Sequence, residues 1–145
     1  MYKTILVPTD GTTLSEKAIT AAIQYASTHK GCKIIGITVA ETPPLTQIES
    51  LSRKQESDYI SREQESARER VNHIAEQAKS ANIPCEVIVS QSAHPHEEIV
   101  RAAEKYQCDC IFMASHGRKG LNRFFIGSET QKVLTTTSVP VLVYR

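Results

Sequence analysis

No stretch of this chain approaches the roughly 20 apolar residues that a membrane-spanning helix needs. The opening, MYKTILVPTDG, has one lysine but no long apolar segment and no small-residue cleavage site. It reads as a first β-strand and not as a secretory leader, so a cytoplasmic protein with no membrane partner is the expectation. Charge of one sign is also missing: 17 basic and 16 acidic side chains leave a net +1. A general nucleic-acid binder needs a strongly basic surface, so that class is excluded, although one local basic site is not. The four cysteines, Cys32, Cys85, Cys108 and Cys110, contain no C-x-x-C pair. They offer no tetrahedral metal set and are expected to be reduced and partly buried. Neither a Walker A loop nor a G-x-G-x-x-G fingerprint occurs. There is no internal repeat and no linker, and 145 residues suit one domain spanning 1–145.

What is present is an alternation of two patterns. YKTILVP (2–8) is a short apolar run bounded by Pro8, Asp10 and Gly11, as in a buried strand. A first helix follows over 13–31, with Ala18, Ala21, Ala22 and Tyr25 at helical spacing, Thr13 and Glu16 as a capping box and Gly31 as a stop. CKIIGITVA (32–40) is the second strand. Residues 41–56, with Pro43 and Pro44, read as a loop. A long charged helix over 56–82 buries Ala67, Val71, Ile74, Ala75 and Ala78, and its charged face is expected to be solvated. PCEVIVS (84–90) is the third strand. The next helix, 95–107, has Pro95 at its first position, two glutamates in its first turn, and Ile99, Ala102, Ala103 and Tyr106 on one face. CDCIFMAS (108–115), a last helix over 128–138 and VPVLVYR (139–145) complete the order β-α-β-α-β-α-β-α-β. Such alternation predicts an α/β fold, a doubly wound five-stranded parallel sheet with helices on both faces.

Ligands of such sheets bind beyond the carboxyl ends of the strands, where the strand order reverses. Two loops are expected to converge there. One is Thr9, Asp10 and Gly11; the other is the unusual stretch ASHGRKGLNRFFIGSET (114–130). The end of the second strand, near Val39 and Ala40, supplies a wall. Gly117 and Gly120 permit close backbone approach, and Gly127 and Ser128 open a helix whose free N–H groups suit phosphate. Arg118, Lys119 and Arg123 make the loop positive, with no acidic residue between Cys110 and Ser128. Asp10 suits ribose hydroxyls. The same features also fit a plain helix cap and a solvated loop.

The stretch resembles the nucleotide-binding signature of the universal stress protein family, Gly-x2-Gly-x9-Gly-Ser/Thr. Gly117 takes the second glycine position and Gly127-Ser128 the end, while Ala114 departs from the first. ILVPTDG and VPVLVYR are similar to the family's first and last strands. The resemblance spans the chain and implies sheet order 3-2-1-4-5, an adenine nucleotide alpha hydrolase-like fold. It implies binding of ATP, ADP or AMP, with or without Mg²⁺. It places Pro8, Thr9 and Asp10 at the ribose and adenine, Val39 in the adenine pocket, and Met113 and Ala114 beside the sugar. His116, Gly117 and Arg118 face the phosphates, with Gly127, Ser128 and Glu129 closing the cradle. Alanine fits at 114 if that residue keeps extended angles at its strand end; a positive φ, or a ribose packed directly on it, brings the methyl into a clash. The family's habit of pairing last strands implies a homodimer through 139–144, and a stress-response role implies a regulatory protein partner.

An enzyme is harder to assemble from these residues. Asp10, His116 and Glu129 are the groups near the loop, and His116 reads equally as a phosphate contact or as a hydrogen-bonded spacer. His94 and His96 flank Pro95 beside two glutamates, a pattern of a solvated helix start more than of a metal site. TLS (13–15) holds no nucleophile with an evident base. No catalytic set is complete, which leaves three alternatives: a nucleotide-dependent regulator, a dimeric interaction protein without nucleotide, and a slow ATPase. The segment 41–63, weak in apolar residues, is a candidate gate for the site.

Overall fold

Ile5, Leu6 and Val7 have no solvent exposure in the computed structural model, which describes residues 1–118 and 126–145. Three consecutive buried aliphatic residues require cover on both faces, and the strand that holds them, β1 (Thr4–Pro8), is the middle of a sheet. It pairs in parallel with β2 (Lys33–Glu41) on one side and β4 (Cys110–Ala114) on the other. The edges are β3 (Cys85–Ser92), beside β2, and β5 (Val141–Tyr144), beside β4. The order β3-β2-β1-β4-β5 is the one expected.

Alternation along β1 divides the core in two. Ile5 and Val7 join Ile34, Val71, Ile74 and Ala78 on the face covered by α1 (Thr13–Thr28) and α3 (Arg53–Ser80). Leu6 joins Ile35, Ile37, Ile99, Ala103 and Val133 on the other, under α4 (Pro95–Lys105) and α5 (Ser128–Thr136). All four cysteines are free thiols; burial pushes that of Cys108 up to about 11.

Three expectations need correcting. The start of α1 is capped by Thr12, not by a box of Thr13 and Glu16: the Ser15 amide donates to Thr12 Oγ1 (3.2 Å). The cause lies one turn back, where Asp10 Oδ1 accepts both the Thr12 amide (3.0 Å) and its hydroxyl (2.7 Å) and holds Thr12 extended. Glu16 instead reaches α3, accepting from Gln77 Nε2. Second, residues 41–56 are not all loop. A short α2 (Leu45–Ile48) forms after Pro44, and α3 begins at Arg53 behind a reciprocal capping box of Ser52 and Gln55. Third, the stripe of α3 is narrower than expected, since Ala75 is only half-buried, and its charged face is not wholly solvated: Glu63 and Arg70 are half-buried.

Candidate functional site

Between β1 and β4 the connections run to opposite faces, and their loops part beyond the strand ends. A cleft of about 730 Å³ opens there. Its floor is the end of β1, with Pro8 and Thr9; one wall is β2, with Ile37, Val39 and Glu41, and the other is β4, with Met113 and Ala114. All twelve residues singled out in the sequence line this one cleft: Pro8, Thr9, Asp10, Val39, Met113, Ala114, His116, Gly117, Arg118, Gly127, Ser128 and Glu129. Lys119, Gly120 and Arg123, the other positions of the loop argument, lie outside the described residues.

Local bonds fix these loops. The Thr9 amide donates to Ile37 O (2.9 Å), and Thr38 Oγ1 donates back to Thr9 O (3.1 Å), so β1 and β2 hold the Thr9 turn between them. Asp10 spends Oδ1 on Thr12, as described, and its Oδ2 points at Gly117. A Cβ on Gly117 would stand 3.0 Å from that oxygen, so the absence of a side chain lets the two loops meet. Gly127 is tighter. A Cβ there would lie 3.1 Å from Ser115 O and 3.3 Å from His116 Cα, both backbone atoms, while its amide donates to Ser115 O (2.7 Å).

Gly127 is also the N-cap of α5 and offers no side chain to bond the first-turn amides. The helical ladder begins with the Gln131 amide on Gly127 O (3.0 Å). The amides of Ser128, Glu129 and Thr130 precede that bond, where a helix presents donors and the positive end of its dipole. Ser128 and Thr130 both line the cleft, and Thr130 Oγ1 donates to Ala114 O (3.0 Å), which ties α5 to the end of β4. Ala114 itself sits in the β4 ladder opposite Tyr144 and is not among the residues with positive φ. Its methyl therefore adds no backbone strain. His116 keeps Nδ1 2.9 Å from Ser115 Oγ, so one ring nitrogen serves as a spacer and Nε2 is its remaining polar atom.

Glu129 is more committed than the sequence indicates. The His96 amide donates to Glu129 Oε2 (3.0 Å), His96 Nδ1 lies 2.9 Å from the same oxygen, and Lys132 Nζ donates to Oε1 (2.9 Å). Since α4 starts at Pro95 and has no side-chain cap of its own, Glu129 caps it from α5. Partial burial works to raise the Glu129 pKa, but the bonds from Lys132 and His96 outweigh it and the net shift is downward. A depressed folded pKa means stability that is present above the ordinary glutamate range and lost as pH falls through the folded value. Glu129→Gln should therefore flatten the acid-side fall in melting temperature below about pH 4.5. The carboxylate is 39% exposed, so the effect at neutral pH should stay under about 1 kcal/mol. Acid melting curves identical to the native ones would contradict this.

The outer rim is a wall that the sequence reading does not supply. Thr42, Pro44 and Gln47 come from the stretch expected to be loop, and Tyr59 from the start of the expected long helix; all four fall in the segment 41–63 read as a candidate gate. The Ser52-to-Gln55 spacing is the available signal. Ala93, Pro95 and Ile99 close the side near α4. Across the mouth, Arg118 Nη2 stands 3.9 Å from Glu41 Oε1.

A doubly wound sheet with an apolar slot, a carboxylate and a helix N-terminus meeting at its switch point defines an α/β protein with a cleft where such folds hold their ligands. The chain belongs to the universal stress protein family, which it matches over residues 1–145. It is 31% identical over 146 residues to universal stress protein MJ0531 of Methanocaldococcus jannaschii, covering 100% of this chain and 83% of that protein. The solved structure of MJ0577 from the same organism superposes with a TM-score of 0.85 at 30% identity, covering 99% of this chain and 96% of the other. A universal stress protein solved in complex with cAMP shares the fold at TM-score 0.64 and 22% identity, covering 98% and 95% of the two chains. No helix among the described residues is long and apolar enough to cross a membrane.

Proposed function

We propose that the cleft binds ATP or its shorter relatives ADP and AMP, and that occupancy regulates a protein partner in a stress response. The observation that supports this best is the start of α5. A glycine cap leaves the Ser128, Glu129 and Thr130 amides for an anion, and the cationic Arg118 lines the same cleft. Ile37, Val39, Ile99 and Met113 offer apolar walls for a flat base, and Asp10 Oδ2 an acceptor for ribose hydroxyls. The Glu129 carboxylate is taken by His96 and Lys132, so its share of the phosphate cradle is its backbone N–H. Mg²⁺ would enter with the phosphates; among the described residues no cluster of His, Cys, Asp or Glu forms a metal site alone. That a protein of the same fold was solved with cAMP agrees with an adenine ligand.

The test is a calorimetric titration of nucleotide-stripped protein with Mg-ATP. Micromolar binding that weakens in Ser128→Ala is the expected result, since one hydroxyl donor to a charged group is worth about 1.5–3 kcal/mol. No heat up to millimolar nucleotide overturns the reading.

Partner contacts are proposed at the free side of β5. Leu142 is 43% exposed on this edge strand, and an apolar edge left open invites pairing with another chain. A second copy pairing antiparallel through 139–144 would cover it. Leu142→Lys should shift the mass measured by sedimentation from dimer to monomer; a native protein already monomeric at micromolar concentration overturns the dimer.

A further inference from the structure

Arg70 is the residue of α3 that a solvated charged face does not explain. Its side chain is only 13% exposed. The stem lies against the β1–α1 turn: a Cβ on Gly11, which has φ of 81°, would be 2.8 Å from Arg70 Cδ and 3.1 Å from Cγ. Its Nη2 is 3.9 Å from Glu63 Oε2, which is too long for a hydrogen bond. Nε, Nη2 and that Glu63 oxygen are all buried without a hydrogen-bond partner among the described residues. Each such group costs on the order of 1–3 kcal/mol, and native proteins carry few of them.

The surroundings give this guanidinium a use. Burial lowers the Arg70 pKa, and the nearby charge of Arg118 lowers it further, against upward pulls from Glu63, Asp10 and Glu41. Arg118, Asp10 and Glu41 all line the ligand cleft. Arg70 therefore stands behind the Asp10-Gly11 turn, whose Asp10 carboxylate meets the loop of Gly117 and Arg118 on the other side. Two cations there face three carboxylates, and Arg118 leans toward Glu41 at 3.9 Å. The group thus carries one negative charge in excess, and loss of Arg70 would make it more repulsive to a phosphate chain.

We propose that Arg70 is a specificity-determining residue that makes the cleft favour longer phosphate chains, by adding a buried positive charge behind the Asp10-Gly11 turn. The inference rests on the adenine-nucleotide reading above. One fixed charge attracts a ligand in proportion to the ligand's own charge, and a buried charge is screened little by salt. The base and sugar, being neutral, gain nothing from it. Arg70 acts through its field alone, without touching the ligand.

The experiment measures dissociation constants of AMP, ADP and ATP for the native protein, Arg70→Met, Arg70→Lys and the double variant Arg70→Met with Glu63→Gln. Methionine keeps the stem on Gly11, and the second change removes the carboxylate that would otherwise be left buried and unpaired. Native affinity should rise from AMP to ATP. Arg70→Met, or Arg70→Gln if the methionine variant does not fold, should weaken ATP by about tenfold and AMP by no more than about threefold, whereas the double variant, which removes one charge of each sign, should hold the ATP-to-AMP ratio within about threefold of native. Arg70→Lys keeps the charge and should restore the native order, which a purely structural role would not explain. If the native protein binds no nucleotide, both the functional reading and this inference fail. If it binds and the ATP-to-AMP ratio is the same in every folded variant, only this inference fails.

Discussion

Replacing Gly127 with valine should abolish nucleotide binding while leaving a folded protein. The reason is local. The added side chain would stand within 3.1 Å of Ser115 O and 3.3 Å of His116 Cα, and neither backbone atom can rotate away. The start of α5 must then shift, breaking the Gly127 amide bond to Ser115 O and re-aiming the Ser128 and Glu129 amides. Two charge-assisted hydrogen bonds lost at about 1.5–3 kcal/mol each amount to at least about a hundredfold in affinity. The overpacking itself should cost about 1–3 kcal/mol of stability. Calorimetry beside a circular dichroism melt separates the two effects. Gly117→Ala is the milder comparison, because among the described residues its methyl would meet Asp10 Oδ2 alone, a side-chain atom and not backbone. It should lose a few-fold at most. Native affinity in Gly127→Val would mean that the α5 amides do not hold the ligand.

The second large effect is on the fold. Ile74→Ala should destabilise the protein by about 2–5 kcal/mol, the usual cost of an aliphatic cavity in a packed core. Ile74 is wholly buried and joins α3 to Ile5 and Val7 of the central strand. Domains of this kind hold only about 5–15 kcal/mol in total, so a fall of this size should be plain in the midpoint of a urea titration. A change under about 1 kcal/mol would show that α3 docks elsewhere.

The sheet is legible in the sequence because its signals are local. Ile5-Leu6-Val7 is a continuous apolar run, which only a strand covered on both faces tolerates, and Ala67, Val71, Ile74 and Ala78 mark one side of a helix by spacing alone. Gly127-Ser128 before a helix is likewise a short-range signal, as is the missing acid in the loop before it. What stays hidden depends on residues far apart in the chain. His96 and Glu129 are 33 positions apart, and nothing near either one indicates that they share a bond. Arg70 sits in a run of charges whose period marks it as solvent-facing, yet Gly11 has no side chain to keep it out. The cap of α1 moves to Thr12 because Asp10, a residue outside the helix, holds it there. Proline at 43 and 44 suggests irregular chain, and that impression masks the Ser52-to-Gln55 box that follows.

The position of β1 bears on how the chain folds as it is made. Of the five strands of the sheet, the one made first is its middle, and its β4 neighbour begins only at Cys110. Translation across those roughly hundred residues takes about 5–20 s. During that time β1, β2 and β3 can associate, but one edge of β1 stays open and the apolar face around Leu6 waits for α4 and α5. A nascent chain of this protein should therefore be a client for chaperones that shield exposed strand edges, until Tyr144 emerges and closes the sheet.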